Sequence, residues 1–111
     1  LLYFVGRNDA MIKTAGNRIS PGEIEDAVIA SGAASEAVAF GTPDARLGAA
    51  IILVVRGDGS QDAALRAALR AALPNFMQPR DIVWQRDLPR NANGKLDRVA
   101  IAADWQRQAA A

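Results

Sequence analysis

Residues 6–25, GRNDAMIKTAGNRISPGEIE, decide the fold because this short stretch holds the signals for a hairpin and then for a helix. Residues 11–13 and 17–19 are short segments joined by Thr-Ala-Gly, and a glycine-containing connection of this length suits a β-hairpin. Upstream, residues 1–5 alternate as extended backbone does, and Gly6 interrupts them. The sequence therefore predicts an extended N-terminus that leads into a hairpin.

The residues after the hairpin predict the start of a helix. Ser20 precedes Pro21, which is favoured at the first helical position, and Glu23 follows three residues after the serine. We predict that the Ser20 side chain caps the helix and that Glu23 closes a capping box. Gly32 predicts the end of the helix, because glycine readily adopts the left-handed conformation found there.

Strands and helices alternate through the rest of the chain. We predict, in order, strands at residues 36–40 and 49–55 with a turn at 41–44 between them, a helix over 60–73, a strand at 81–85, a loop over 86–95, and a helix from 97 to about 106. The second of these strands is so apolar that we expect it to be central. The alternation predicts an α+β fold: a small mixed sheet of about three strands plus an N-terminal hairpin, packed with two main helices and a short C-terminal helix.

Composition and charge exclude several classes of function. The chain of 111 residues is one domain by length, and its net charge of +1 gives no overall case for binding nucleic acid or an anionic membrane. Without cysteine or histidine, disulfides, thiol chemistry and the usual zinc sites are excluded, and we predict no metal site. The longest apolar run, residues 47–55, is too short to span a bilayer. Because the chain begins with Leu1 rather than methionine, we expect a piece of a longer polypeptide.

A second informative stretch is LPRNANGKLDR, residues 88–98, which holds Lys95, one of only two lysines in the chain. One interpretation is a solvated lysine after an Asn-Gly turn. The other is an ammonium presented on a loop to a phosphate or carboxylate. A Walker A loop is excluded, because it would need glycine where Pro89 stands and serine or threonine where Leu96 stands.

Taken together, in this order and separated along most of the chain, residues 6–25 and 88–98 resemble the C-terminal domain of the adenylate-forming enzymes. That superfamily includes acyl-CoA synthetases, the adenylation domains of nonribosomal peptide synthetases, and luciferases. The resemblance covers essentially the whole chain. It implies that residues 1–9 form a hinge and the junction to a large N-terminal domain, and that residues 10–111 form the mobile C-terminal domain.

The resemblance also implies roles for individual residues. Lys95 matches the lysine that contacts the substrate carboxylate and the ATP α-phosphate during adenylation, where a compact cation stabilises developing charge. Asp9 matches the hinge about which the domain rotates. Arg7 and Arg18 match arginines that contact the nucleotide, for which a guanidinium fork is suited. Either arginine is alternatively a surface ion-pair residue.

Two hairpin residues match positions used in the second half-reaction of some members. Lys13 matches a catalytic lysine of that step. Gly16 falls where the backbone approaches the pantetheine arm of the thiol acceptor, and a side chain there would block the approach. The alternative for Gly16 is a glycine that serves only the hairpin turn.

The resemblance implies a two-step reaction in which a carboxylic acid and ATP give an acyl-adenylate, and a thiol then displaces AMP. ATP and Mg²⁺ would be bound mainly by the N-terminal domain, with CoA as co-substrate, so the isolated chain is expected to be inactive. We favour a cytoplasmic acyl-CoA ligase of fatty acid metabolism, because an Ile-Lys pair and a proline before the glutamates are common in that group.

Two alternatives stay open. The ending NGKLDR is more typical of a nonribosomal peptide synthetase, whose acceptor is the phosphopantetheine of a carrier protein. A non-catalytic binding module is the remote alternative, since residues 80–98 carry a local charge of +2. Their acids and bases are interleaved and aromatic residues are few, which argues against nucleic acid. The expected partners are therefore the N-terminal domain, a carboxylic acid, ATP and a thiol, with no nucleic acid and no membrane span.

Overall fold

The computed structural model describes residues 12–14, 16–44 and 48–110, and it confirms the predicted α+β fold. The elements in chain order are β1 (Ile12–Thr14), β2 (Asn17–Ile19), α1 (Pro21–Ser31), β3 (Ala37–Asp44), β4 (Gly48–Arg56), α2 (Asp62–Ala72), a 3-10 turn (Asn75–Met77), β5 (Asp81–Gln85) and α3 (Arg98–Ala110). Strands β1 and β2 form the predicted hairpin, and β3, β4 and β5 form the three-stranded sheet.

Strand β4 is the central strand of the sheet, as its apolar sequence predicted. It pairs antiparallel with β3 and parallel with β5. A parallel pair needs a crossover connection, and α2 provides it between β4 and β5. Residues 50–55 of β4 are all buried, which means that both faces of the sheet are covered.

The core consists of two apolar clusters, one on each face of the sheet. Because side chains alternate along a strand, residues 51, 53 and 55 enter one cluster, and residues 52 and 54 enter the other. The first cluster joins the sheet to the hairpin, α1 and α2. The second joins it to α3 and includes Leu88 and Ile101. The fold is therefore a sheet between two helical layers.

The hairpin packs closely on the sheet. Ile12 and Ile19 are buried in the first cluster. A Cβ added to Gly41 on β3 would lie only 3.0 Å from Cγ2 of Ile12, so a side chain there would displace the Ile12 side chain by a few tenths of an ångström. The hairpin is thus attached through its buried side chains, and the opposite face of each strand is left to solvent.

Strand β3 lies at an edge of the sheet, and side chains from two helices satisfy the outward-facing backbone groups of Ala39. The Ala39 N–H donates to the carboxylate of Glu25 at 2.8 Å. Arg98 donates to the Ala39 carbonyl at 3.2 Å and to Glu25 at 2.7 Å. This contact fixes α1 and α3 to the strand and occupies backbone groups that would otherwise pair with another strand.

The predicted capping box is wrong in detail. Ser20 is the N-cap residue of α1 with an extended backbone, but its side chain makes no capping hydrogen bond. The Glu23 N–H instead donates to the Ser20 backbone carbonyl at 3.1 Å, so this amide needs no hydroxyl partner. The predicted C-terminus is confirmed, because Gly32 is left-handed with φ of 78° and its N–H donates to the Ile29 carbonyl.

Two predicted boundaries are also wrong. The turn expected at residues 41–44 is strand, and Pro43 pairs with Ala49. A proline is tolerated because β3 is an edge strand, where the missing N–H costs no ladder hydrogen bond. Helix α3 extends past the predicted end at 106 to Ala110, since the glutamine and alanines of that segment are good helix formers.

Candidate functional site

Lys95 lies on a tight loop that an antiparallel bridge between Arg90 and Leu96 closes. The Asn91 side chain organises this loop: its Oδ1 accepts the backbone N–H of Asn93 at 2.9 Å and that of Lys95 at 3.2 Å. The Asn91 N–H in turn donates to the Lys95 carbonyl at 2.8 Å. These three hydrogen bonds fix the backbone that carries the lysine.

Gly94, immediately before Lys95, adopts a left-handed backbone with φ of 81°. A Cβ at Gly94 would meet nothing within 4 Å, so backbone conformation rather than space calls for glycine here. Its N–H donates to the Asn91 carbonyl at 2.9 Å, and its carbonyl accepts from Nη1 of Arg90 at 3.1 Å.

Arg90 also joins the loop to the sheet. Its Nη2 forms an ion pair with Oε2 of Glu36, the residue directly before β3. Glu36 accepts a second hydrogen bond, from Nη1 of Arg56 at 3.3 Å. The hydrogen bond from Arg90 is the main reason that the pKa of the Glu36 carboxyl lies below its ordinary value. Glu36 is therefore held ionised between two arginines.

Both ends of the loop are anchored in the fold. Leu88 is buried in the second apolar cluster, and Leu96 packs against the same cluster. Asp97 donates its N–H to the Pro89 carbonyl, and its side chain caps α3 by accepting the Ala100 N–H at 3.0 Å. Both ends of the loop are thus fixed by contacts with the core and with α3.

The Lys95 side chain itself is exposed and makes no ion pair with any other residue that the structure describes. A fixed backbone with a free ammonium distinguishes this lysine from one that only stabilises the surface. The arrangement can place a positive charge against an anion that approaches from outside the domain.

The hairpin presents a second cationic group. Lys13 on β1 lies directly opposite Arg18 on β2, and both side chains are exposed. Directly opposite residues have Cβ atoms about 4.5–5.5 Å apart, so the two cations repel each other and an anion between them would be stabilised. Within the described part of the chain, neither forms an ion pair. Gly16 lies in the connecting turn with φ of 83°.

The two cationic groups are attached at separate positions along β3 (Ala37–Asp44). The Lys95 loop is bound to Glu36, before the first residue of the strand. The hairpin packs against Gly41, five residues further on, which is about 16 Å along a strand. The structure therefore brings Lys13, Gly16 and Arg18 together on the hairpin, and it carries Lys95 on a separate loop.

Two predicted site residues, Arg7 and Asp9, lie outside the described residues, and so does the predicted hinge at residues 1–9. The contacts of Arg90, Asn91 and Glu36 were not foreseen. In the sequence, Arg90 was noted only as a member of the motif at residues 88–98 and as one of the positive charges of residues 80–98. An Asn two residues before Asn-Gly was the available sign for Asn91, whereas Glu36 lies 54 residues from Arg90 and gave no local sign.

Other possible sites are supported by fewer observations. A cavity of about 80 Å³ is lined by Arg66, Leu69, Arg70, Gln78, Pro79 and Ile82. The Gln78 amide in its wall already donates to the carbonyls of Leu69 and Leu73. Among residues 12–14, 16–44 and 48–110, no three metal-binding side chains cluster. No helix within those ranges has the length and apolar character needed to cross a bilayer.

Comparisons with known proteins agree on one family. The chain matches the family described as "AMP-binding enzyme C-terminal domain" over residues 23–95. It is 42% identical over 102 residues, 90% of this chain, to the "Probable non-canonical nonribosomal peptide synthetase (NRPS) CymA" of Salinispora arenicola. It is 35% identical over 105 residues, 89% of this chain, to 4-hydroxybutyrate–CoA ligase 1 of Metallosphaera sedula.

The fold is also found in a solved structure, that of apo MatB from Rhodopseudomonas palustris. The TM-score is 0.80 at 27% identity, over 90% of this chain and 21% of MatB. The chain spans 1% of the length of CymA and 19% of the Metallosphaera ligase. It therefore matches a small part of each of these larger proteins.

Proposed function

The chain belongs to the AMP-binding enzyme C-terminal domains of the adenylate-forming superfamily, and from this we propose that it is the mobile domain of an ATP-dependent acid–thiol ligase. Residues 10–111 form that domain, and residues 1–9 carry the hinge and the junction to a large N-terminal domain. The supporting observation is the Lys95 loop, whose backbone is fixed by Asn91 while its ammonium is exposed. Such a cation suits a reaction in which negative charge develops on phosphoryl oxygens.

In the first half-reaction, an oxygen of the substrate carboxylate attacks the α-phosphorus of ATP. A bond between the acyl oxygen and phosphorus forms, and the bond to pyrophosphate breaks. Lys95 enters the junction between the domains, where its ammonium reduces the repulsion between the carboxylate and the phosphate and stabilises the transition state. Arg7 and Arg18 contact the nucleotide in this proposal.

Mg²⁺ accompanies ATP and neutralises charge on its phosphates. The described residues bring together no cluster that would hold the ion. As the family resemblance implies, Mg²⁺ would be held mainly by the N-terminal domain, which would also contain the pocket for the acid.

In the second half-reaction, the domain rotates about Asp9, withdraws Lys95 and presents the hairpin. A thiol sulfur then attacks the acyl carbon, the thioester forms, and AMP leaves. Lys13 acts at this step, and Gly16 leaves room for the pantetheine arm. The attachment of the two cationic groups at separate positions, one at Glu36 and one at Gly41, supports this division, because one domain can then present them in turn.

Two thiol acceptors are candidates. CoA is favoured by the Ile-Lys pair and the proline before the glutamates in residues 12–25. The phosphopantetheine of a carrier protein is favoured by the ending NGKLDR and by the higher identity to CymA than to the Metallosphaera CoA ligase. Supplying the full-length enzyme with each acceptor, and measuring which thioester forms, decides between them. A cytoplasmic location and a fatty acid substrate stay predictions.

The test of the proposed function is Lys95→Ala in the full-length enzyme that contains this domain. We expect carboxylate-dependent ATP–pyrophosphate exchange to fall about 10²–10³-fold, which is the usual effect of removing one contact that stabilises transition-state charge. Thioester formation from a supplied acyl-adenylate should survive. Arg107→Ala, which removes a cation that is 71% exposed on α3, is the matched control and should leave both activities unchanged. Retention of exchange by Lys95→Ala would refute the proposal.

A further inference from the structure

We propose that Arg90 is a positioning residue for adenylation: it fixes the peptide that carries Lys95 and anchors it through Glu36 to the start of β3. This inference rests on the proposed function of Lys95. The apolar contacts of Leu88 and Leu96 hold the ends of the loop, whereas Arg90 and Glu36 hold the peptide that carries Lys95.

The peptide group between Gly94 and Lys95 is held at both of its polar atoms. Its carbonyl oxygen, on Gly94, accepts from Nη1 of Arg90 at 3.1 Å. Its N–H, on Lys95, donates to Oδ1 of Asn91 at 3.2 Å. With both atoms bonded, the peptide cannot rotate about its flanking bonds without breaking a hydrogen bond. The direction in which the Lys95 side chain leaves the loop is fixed as a result.

Arg90 performs two tasks at once because its guanidinium is planar and has several donors. While Nη1 holds Gly94, Nη2 pairs with Glu36. A lysine at this position would offer a single ammonium on a flexible stem and would not span both acceptors in a fixed geometry. The loop is thereby attached to Glu36, the residue directly before β3 of the sheet.

Stability alone does not explain this pair. The side chains of Arg90 and Glu36 are 38% and 22% exposed, and ion pairs at such exposure add little to the free energy of unfolding. Position, by contrast, has a large effect on rate, since a misplacement of about 1 Å can lower catalysis about 10²-fold. We therefore expect loss of Arg90 to affect the adenylation rate far more than the fold.

The chain provides a matched control for this inference. Arg56 pairs with the same carboxylate of Glu36, at 3.3 Å, and its Nε donates to the Arg86 carbonyl. It makes no hydrogen bond to the Lys95 loop within the residues that the structure describes. Arg56→Met therefore removes an ion pair of Glu36 without releasing the Gly94 carbonyl.

The experiment uses the full-length enzyme with the variants Arg90→Met, Glu36→Gln, their double mutant, Arg56→Met and Lys95→Ala. We expect Arg90→Met to lower kcat of ATP–pyrophosphate exchange at least tenfold, with KM for ATP changed less than threefold, as for a misplaced catalytic group. Glu36→Gln should lower kcat in the same direction, and the double mutant should be no worse than Arg90→Met. Arg56→Met should stay within twofold of wild type. Thioester formation from a supplied acyl-adenylate and the Tm should be unchanged in all of them.

The results separate this inference from the proposed function. If Lys95→Ala abolishes exchange while Arg90→Met and Glu36→Gln exchange at the wild-type rate, the positioning role is refuted and the role of Lys95 stands. If Arg90→Met lowers the Tm and both half-reactions together, Arg90 is structural and the inference is also refuted. Glu36→Gln keeps the test valid should Arg90→Met fail to fold, because it releases the anchor and leaves the arginine in place.

Discussion

The hairpin and the Lys95 loop each present a lysine, but different forces hold the two regions. The hairpin is held by burial, since Ile12 and Ile19 are 3% and 1% exposed. The loop between Arg90 and Leu96 is held mainly by polar contacts of Asn91 and Arg90, whose side chains are accessible to solvent. The backbone of the hairpin lysine is therefore fixed by apolar burial. The backbone of the loop lysine is fixed by hydrogen bonds and an ion pair at the surface.

This difference has a consequence for how the two regions respond to change. Apolar burial is little affected by moderate salt or acid, whereas exposed ion pairs are screened by salt and lost when a carboxylate is protonated. The position of Lys95 can thus vary while the domain stays folded. The position of Lys13 cannot change without disturbing the core.

The largest expected effect tests whether apolar burial holds the hairpin. Ile19→Ala should lower the free energy of unfolding of the domain by about 2–5 kcal/mol, because it leaves a cavity in the first cluster under the hairpin. Urea denaturation followed by circular dichroism measures this. Ile29→Ala on α1 is the matched control, since Ile29 is 50% exposed and its truncation should cost under about 1 kcal/mol. Equal losses in the two variants would contradict the view that burial holds the hairpin.

The fold could be predicted largely from local pattern. Strand β5 was predicted with its exact bounds, and β4 was recognised as central from its apolar sequence. The end of β3 was missed, because Gly-Thr-Pro-Asp is locally a turn signal and only the position of β3 at the sheet edge permits Pro43 within the strand. Edge position is a property of the assembled sheet, so no local pattern contains it.

The site was predictable only in part. Lys95 and Lys13 were found because each lies in a motif of neighbouring residues, and the structure shows both exposed. The contact between Arg90 and Glu36 joins residues 54 positions apart, and one charged residue gives no sign of which distant charge it will meet. Residue motifs thus indicated which groups are candidates for the site, whereas the contacts that place them required the three-dimensional structure.

A smaller effect is expected from alanine substitution of two matched glycines, one in the hairpin and one in the Lys95 loop. Gly16 and Gly94 have φ of 83° and 81°, and a Cβ at either would meet nothing within 4 Å. Gly16→Ala and Gly94→Ala should therefore each lower the free energy of unfolding by about 1–2 kcal/mol, the cost of the left-handed conformation for an L-residue. The functional effects should differ: in the full-length enzyme, Gly94→Ala should slow ATP–pyrophosphate exchange and Gly16→Ala should slow thioester formation.

Urea denaturation and the two half-reaction assays measure these outcomes. If Gly16→Ala slows both half-reactions to the same extent, Gly16 serves only the hairpin turn and no approach of pantetheine is needed to explain it. If Gly94→Ala leaves exchange unchanged, the conformation of the Lys95 loop does not control adenylation.

The smallest expected effect is a pH dependence, and it tests whether the ion pair of Glu36 holds the Lys95 loop. The pKa of Glu36 lies below its ordinary value because Arg90 hydrogen-bonds to the charged form, so this pair stabilises the loop fully above the ordinary pKa of glutamate. The stabilisation is lost as the pH falls through the lowered pKa, and for an exposed pair it amounts to only about 0.2–1 kcal/mol. The described residues of the hairpin contain no carboxylate, so its order should not change over this pH window.

Amide hydrogen exchange can measure this effect at individual residues. The ratio of protection between wild type and Glu36→Gln should exceed one at Lys95 and Gly94 near neutral pH, and it should approach one as the pH falls through the lowered pKa of Glu36. At the Arg18 amide of the hairpin the ratio should stay near one throughout. Taking the ratio at each pH cancels both the intrinsic pH dependence of exchange and the titration of Asp58 and Asp62, whose pKa values are also lowered. A ratio that falls equally in the hairpin and the loop would mean that Glu36 supports the whole fold, and the distinction between a region fixed by burial and one fixed by charge would be lost.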